Sequence, residues 1–272
     1  LGNSRISPRK AVPESLLRHV PPRHIYNNGC CSNCAIVGRN LSDPVDHSEA
    51  LRPLLNLSGP SPQARRLLQL DACGEPAAAS SGQALETRVG TLATAMLARG
   101  WQGERVVLAI SEEMAFLVAF LACLRAGVIA VPAVAPGTAR NNARLAHFAA
   151  DSGAAAVLVD ATAARQLRLR SPQGAALAGC PVVELDGLMD AAGPSAAKSA
   201  QPRSLAPDAP AYLQYTSGST RAPRGVVITR AQLAAQLAML GERFALAPGE
   251  AVVNPMPLYH DFGLVMSLHA LA

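Results

Sequence analysis

From about residue 100 onward the chain alternates short, unbroken apolar runs with longer segments of helical period, and that alternation leaves few folds open. Arg105-Val-Val-Leu-Ala-Ile110, Val128-Ile-Ala-Val131-Pro132, Ala154-Ala-Ala-Val-Leu-Val159 and Val182-Val-Glu-Leu185 have strand length and almost no polar residue. Strands apolar throughout must be covered on both faces, and parallel neighbours need a crossover of a dozen or more residues. The intervening segments supply such crossovers. Residues 112–126 and 139–152 read as helices closed by Gly127 and Gly153. An earlier helix carries Leu85, Val89, Leu92, Ala93, Met96 and Leu97 at helical spacing, with Gly100 behind it. Residues 161–179 are basic and helix-like, and 187–210, rich in Ala, Pro and Ser, read as a loop. Strands at 211–215, 226–229 and 251–254, a helix at 230–245 and an apolar segment over 263–272 complete the pattern. The expectation is an α/β fold of mostly parallel sheets flanked by helices. The pattern breaks off within a helical segment, so the expected domain is incomplete.

The first 58 residues look different. They show no sustained period and contain Pro8, Pro13, Pro21, Pro22, Pro44 and Pro53. We read 1–58 as an irregular or disordered basic segment, with short helices around Glu14–His19 and Ser48–Leu55, and 59–272 as the folded domain. Gly59-Pro60-Ser61-Pro62 would be the linker. Residues 1–70 carry nine basic and four acidic side chains, and the other 202 residues carry fifteen of each, so the whole +5 charge lies in the first 70 residues. A basic tail binds polyanions non-specifically, and no nucleic-acid motif accompanies it, so no specific nucleic-acid partner is expected. Cys30, Cys31 and Cys34 make one C-x-x-C spacing with no second pair, which is short of a zinc site. Cys73, Cys123 and Cys180 stand singly and suit the buried thiols of a cytoplasmic protein. The longest apolar stretch, Met114 to Leu124, is too short to cross a bilayer.

The sharpest chemical signal is Tyr215-Thr216-Ser217-Gly218-Ser219-Thr220-Arg221-Ala222-Pro223-Arg224-Gly225. Small residues leave the backbone N–H groups free to converge on one anion, and the hydroxyls of Thr216, Ser217, Ser219 and Thr220 add donors. Gly218 admits a turn that other residues resist. Arg221 and Arg224 place two fixed positive charges beside it, in the planar form that grips two phosphate oxygens. The G-x-x-x-x-G-K-[ST] spacing is absent, so this is a different phosphate loop. Further on, Met256-Pro-Leu-Tyr259-His260-Asp261-Phe-Gly263 sets Tyr259 and His260 on a loop before a helix, where α/β proteins place ligand groups. Asp261 is a candidate helix cap.

Leu213-Gln-Tyr-Thr-Ser-Gly-Ser-Thr220 resembles the phosphate-loop motif of the adenylate-forming (AMP-binding) superfamily. Arg221, where most of that superfamily has Gly, and the preceding Leu-Gln-Tyr resemble the fatty acyl-AMP ligase branch. Arg224 stands where Lys is usual and keeps the charge. His260-Asp261-Phe-Gly263-Leu is similar to the next motif of the same branch, and Gly103 to Leu108 and Ala119 to Pro132 resemble early scaffold segments. The resemblance covers residues 83–272 and implies the first portion of a large N-terminal adenylation domain.

It further implies ATP-dependent activation of a fatty acid to its acyl-adenylate, with Mg²⁺ as cofactor and no protein metal ligand among the motif residues. Thr216, Ser217, Gly218, Ser219, Thr220, Arg221, Arg224 and Gly225 would bind the nucleotide phosphates. Tyr259, His260 and Gly263 would line the acyl pocket, with His260 as the catalytic residue near the acyl carboxylate or the α-phosphate. An acyl carrier protein would accept the acyl group; coenzyme A is the alternative acceptor, and a non-catalytic phosphate- or acyl-binding remnant the alternative of another class. The family's ribose, adenine and C-terminal lysine segments have no counterpart here, so little adenylation by this chain alone is expected.

Overall fold

The computed structural model describes residues 34–38, 51–55, 57, 66–71, 74, 76–170, 176–177, 179–193, 205–216, 223–244 and 251–272. The expected helix at 14–19, Cys30, Cys31, Cys73, the 59–62 linker and Ser217–Ala222 lie outside the described residues.

A seven-stranded sheet forms the centre. Its strands are β4 (Arg105–Leu108), β5 (Ile129–Pro132), β6 (Ala156–Val159), β7 (Ala176–Leu177), β8 (Cys180–Glu184), β9 (Pro210–Thr216) and β10 (Arg224–Thr229). Their spatial order is β10-β9-β5-β4-β6-β8-β7. β9, β5, β4, β6 and β8 run parallel, as expected from their two-sided apolar character. β10 is antiparallel to β9 and β7 to β8, because the short links between them cannot make a crossover.

The helices are α1 (Arg52–Leu55), α2 (Gly82–Ala98), α3 (Glu113–Ala126), α4 (Ala139–Ser152), α5 (Ala161–Arg170), α6 (Leu185–Ala192), α7 (Arg230–Arg243) and α8 (Asp261–Leu271). Alternate residues of the parallel strands feed two cores. Val106, Leu108, Ala130, Ala156 and Leu158 pack with α2, α3, α7 and α8. Val107, Val131, Val157 and Val159 pack with α4 and α5 on the other face. Met114 through Ala126 are all buried, so α3 is apolar all round because it is enclosed, not because it meets lipid. It ends at Gly127 in the left-handed conformation, φ 70°, as its sequence signal indicates. No helix among the described residues is long and apolar enough to cross a membrane.

Four expectations are corrected. The strand at 251–254, β11, does not join the parallel sheet. It belongs to an antiparallel sheet of order β11-β1-β2-β3 with β1 (Cys34–Gly38), β2 (Arg66–Leu70) and β3 (Pro76–Ser81). β1 thus arises inside the segment read as irregular, and Pro76-Ala-Ala-Ala-Ser-Ser81 has little intrinsic strand preference, so cross-strand pairing decides both. Leu51, Leu54 and Leu57 are buried in the main core, so the leading segment contributes packing. Part of the expected 187–210 loop is α6, whose Leu185 and Leu188 dock at helical spacing.

Candidate functional site

Open parallel sheets bind ligands where the chain reverses its direction of travel across the sheet. Here that point lies between β4 and β6, and it is filled from within. Asp160, 9% exposed, accepts the backbone N–H groups of Ser111 at 2.9 Å, Glu112 at 2.8 Å and Ala163 at 2.7 Å. There a side-chain carboxylate takes up the N–H groups that would otherwise face an anion.

The β9–β10 hairpin offers the candidate site. Side chains alternate along β9, with Leu213 and Tyr215 turned to the α4 side and Tyr212, Gln214 and Thr216 lining a groove of about 440 Å³. α7 and α8 form the other walls. Val226, Ile228, Leu240, Phe262, Val265 and Met266 make most of the lining apolar. Phe262 and Val226 are 61% and 46% exposed, so apolar surface stands open at the entrance. Polar groups sit along β9 and at the start of α8. Gln214 donates its amide N–H to the Tyr259 carbonyl at 3.3 Å, while its buried Oε1 has no partner among the described residues. A buried acceptor left open is a place for a ligand's donor. Asp261 also lines the groove, and burial together with that carboxylate pushes the Tyr212 phenol up to about 12.

At the mouth of the hairpin Thr216 and Arg224 are paired across the strands, and both are exposed. β10 begins two residues earlier than the sequence pattern shows, so Arg224 and Gly225 are strand residues and not loop residues. Gly225 pairs with Tyr215, and a Cβ there would stand 3.1 Å from the Tyr215 ring. A side chain there would press on the ring where it lies across β10. Ser217, Gly218, Ser219, Thr220 and Arg221 are outside the described residues.

The Tyr259–Gly263 segment leads into α8. His260 is the N-cap residue, so Asp261 is the first helical residue and accepts only the adjacent Phe262 N–H, at 2.7 Å, in place of the expected cap. The exposed His260 ring lies 4.6 Å from that of Tyr259. Gly263 is buried where α8 meets the 256–257 turn; an added Cβ would be 2.8 Å from the Met256 carbonyl oxygen and closer still to that of Pro257. Its role in shaping the site is this close approach of backbone to backbone. Asn254, 4% exposed, completes the joint by donating to Gly263 O at 2.7 Å and Ser267 Oγ at 2.8 Å. Gln214 falls within the Leu213-Gln-Tyr motif without a role assigned to it, and nothing in the sequence pattern singled out Asn254 or Tyr212. Their alternation with apolar neighbours on β9 and their place at a strand end are the only traces.

The model of the AMP-binding enzyme family matches residues 64–272, most of the chain. The chain belongs to the AMP-binding enzyme family. It is 35% identical over 176 residues to FadD21 of Mycobacterium tuberculosis, named for a fatty-acid–CoA ligase activity, covering 62% of this chain and 29% of that protein. It is 30% identical over 172 residues to the 4-hydroxyphenylalkanoate adenylyltransferase of the same organism, covering 61% and 27%. Among solved structures it is similar to the fatty acyl-adenylate ligase from L. pneumophila in complex with acyl adenylate and pyrophosphate, at 26% identity and TM-score 0.60, over 71% of this chain and 33% of that one. The chain thus spans about a third or less of the length of these AMP-binding relatives.

One carboxyl near the site is out of balance with its surroundings. Glu113, at the start of α3, faces a cavity of about 10 Å³ lined with Leu67, Leu117, Leu258 and Ser267, and its Oε2 has no partner among the described residues. Burial, and then the Glu112 carboxylate, raise it from 4.5 to about 7. Between these values the folded chain keeps a proton that the unfolded chain releases, so stability falls as pH rises through the window. The Glu113→Gln variant is expected to remove that slope. Against it, the wild type loses on the order of 1 kcal/mol from pH 4.5 to 7.5, allowing for the side chain's partial exposure. Urea unfolding at the two pH values reads this, and parallel curves for the two proteins would contradict it.

Proposed function

We propose that this chain contributes the phosphate hairpin and the acyl groove of a fatty acyl-AMP ligase, which acts in the cytoplasm. The observation that carries the reading is the apolar groove running beside the Thr216–Arg224 mouth, so that one wall can serve an aliphatic chain and the rim a polyphosphate. A fatty carboxylate oxygen would attack the α-phosphorus of ATP. The bond to the bridging oxygen would break, and pyrophosphate would leave with the electron pair. The protein's part is to hold the two anions together and to stabilise the charge on the departing group. Arg224, with Arg221 and the hydroxyls and N–H groups of residues 216–220, would hold the β- and γ-phosphates. Tyr259 and His260 would stand near the carboxylate end of the groove, and the side walls from α7 and α8 would exclude water from the alkyl chain.

Magnesium fits such a site as an ion carried largely by phosphate oxygens and water. Among the described residues no three His, Cys, Asp or Glu side chains converge, and the exposed Thr216 carries a hydroxyl at the mouth. The ion would supply charge neutralisation on the phosphates. The fatty acyl-adenylate ligase similarity and the His260-Asp261-Phe-Gly263 motif favour a carrier-protein acceptor, whereas the name of FadD21 favours coenzyme A.

A long-chain acyl sulfamoyl adenosine, a stable mimic of the acyl adenylate, tests the reading. Added to the 272-residue chain at about 100 times its dissociation constant, it is expected to raise the unfolding midpoint by about 5 °C or more, with the shift growing with acyl length. A shift independent of acyl length would remove the acyl assignment of the groove. The chain matches so small a share of its relatives that no steady pyrophosphate release from ATP and dodecanoate is expected from it alone.

A further inference from the structure

The hairpin is held from the face opposite the groove by one turn of α4. Tyr215, the residue before the mouth on β9, donates its hydroxyl to Asp151 Oδ2 at 2.6 Å and stacks on Phe148 with ring centroids 4.0 Å apart. Pro223, the residue before β10, accepts the Nε2–H of His147 on its carbonyl at 3.0 Å; a carbonyl can only accept, which fixes the tautomer or a doubly protonated ring. His147 and Asp151 are four residues apart and so share one face of the helix. Both stems of the loop, residues 215 and 223, are thereby tied to a single rigid turn. The Tyr215 ring is stacked on Phe148 on one side and crosses its β10 pairing partner Gly225 on the other. Its phenol is pushed well up by burial and by the Asp151 bond, so it stays a donor across the working range.

We propose that His147 and Asp151 are positioning residues for the nucleotide, setting the width of the hairpin mouth through Pro223 and Tyr215. The assignment rests on the phosphate-hairpin reading above. Stem residues that are already fixed lose less freedom when the mouth takes a ligand, so the brace acts on affinity as well as on fold. Nothing in the family motif marks these residues, since they lie some 70 positions upstream and meet the hairpin only through the sheet.

Two readouts on the 272-residue chain test it, each taken well below the unfolding midpoint. Tryptic cleavage after Arg221 reports the freedom of the loop, and titration with Mg·ATP reports the function. His147→Ala and Tyr215→Phe are each expected to speed the cleavage and to weaken Mg·ATP binding by about tenfold, the loss of one well-placed hydrogen bond. His147→Gln retains an N–H donor and is expected to stay within about threefold of wild type in both. A purely structural role would lower the unfolding midpoint and leave the affinity unchanged. If wild type binds Mg·ATP and both His147→Ala and Tyr215→Phe bind it as tightly, the positioning role is wrong while the phosphate reading stands. If wild type binds no Mg·ATP at all, the phosphate reading fails and takes this assignment with it.

Discussion

Arg125→Met is expected to destabilise the chain by about 3–5 kcal/mol, the range for breaking a buried ion pair from one side. Arg125 is 2% exposed and makes a two-pronged pair with Glu86, at 2.6 and 2.8 Å, while also donating to the Leu55 carbonyl at 2.8 Å. Glu86 in turn accepts the Leu57 N–H at 2.9 Å. The pair therefore stitches three pieces together: α2, α3 and the α1 segment whose Leu54 and Leu57 are fully buried. Removing the guanidinium leaves a largely buried carboxylate with only a backbone N–H for company. The Arg125→Met, Glu86→Leu double variant removes both charges and is expected to recover more than half of the loss, because the desolvation cost disappears with the pair. Urea unfolding of the three proteins decides it. A loss below about 1 kcal/mol for the single variant would mean the pair behaves as an exposed one.

Much of this architecture is legible in the sequence. β4, β5 and β6 are apolar on both faces because cores lie on both faces, and α3 and α4 stop at Gly127 and Gly153, both with positive φ. What was not legible depends on contacts between distant segments. The register that turns 224–225 into strand is set by pairing with β9, and the second sheet joins 34–38 to 251–254 across more than 200 positions. Pairing of that kind leaves no local period to read. At the candidate site the motif residues Thr216, Arg224, Tyr259 and His260 fall around one hairpin and one helix start. Of the groups that hold them in place, Gln214 lies inside the motif without an evident role, while Asn254, His147 and Asp151 are single polar residues with nothing in their neighbourhood to mark them. Asp261 illustrates the limit of local rules, since the helix begins one residue earlier than a cap at that position requires.

The second large effect concerns Arg224. It is exposed, and among the described residues it is the cation at the hairpin mouth, opposite Thr216. An exposed arginine without structural duty can be removed at little cost to the fold, typically within about 0.5 kcal/mol. If it grips phosphate, its loss removes a charge-assisted contact of about 1.5–3 kcal/mol, or roughly tenfold to more than a hundredfold in affinity. A lysine would keep the charge and lose the fork, so Arg224→Lys should fall between. The same contact should weaken with salt, and the wild-type advantage should shrink as ionic strength rises.

Calorimetric titration of the chain with magnesium pyrophosphate, for wild type and Arg224→Ala at matched ionic strength, tests the phosphate hairpin most directly. The expected result is binding by the wild type that falls at least about tenfold in the variant, with the unfolding midpoint unchanged. Equal binding by the two proteins would contradict a phosphate-holding hairpin at Thr216–Arg224.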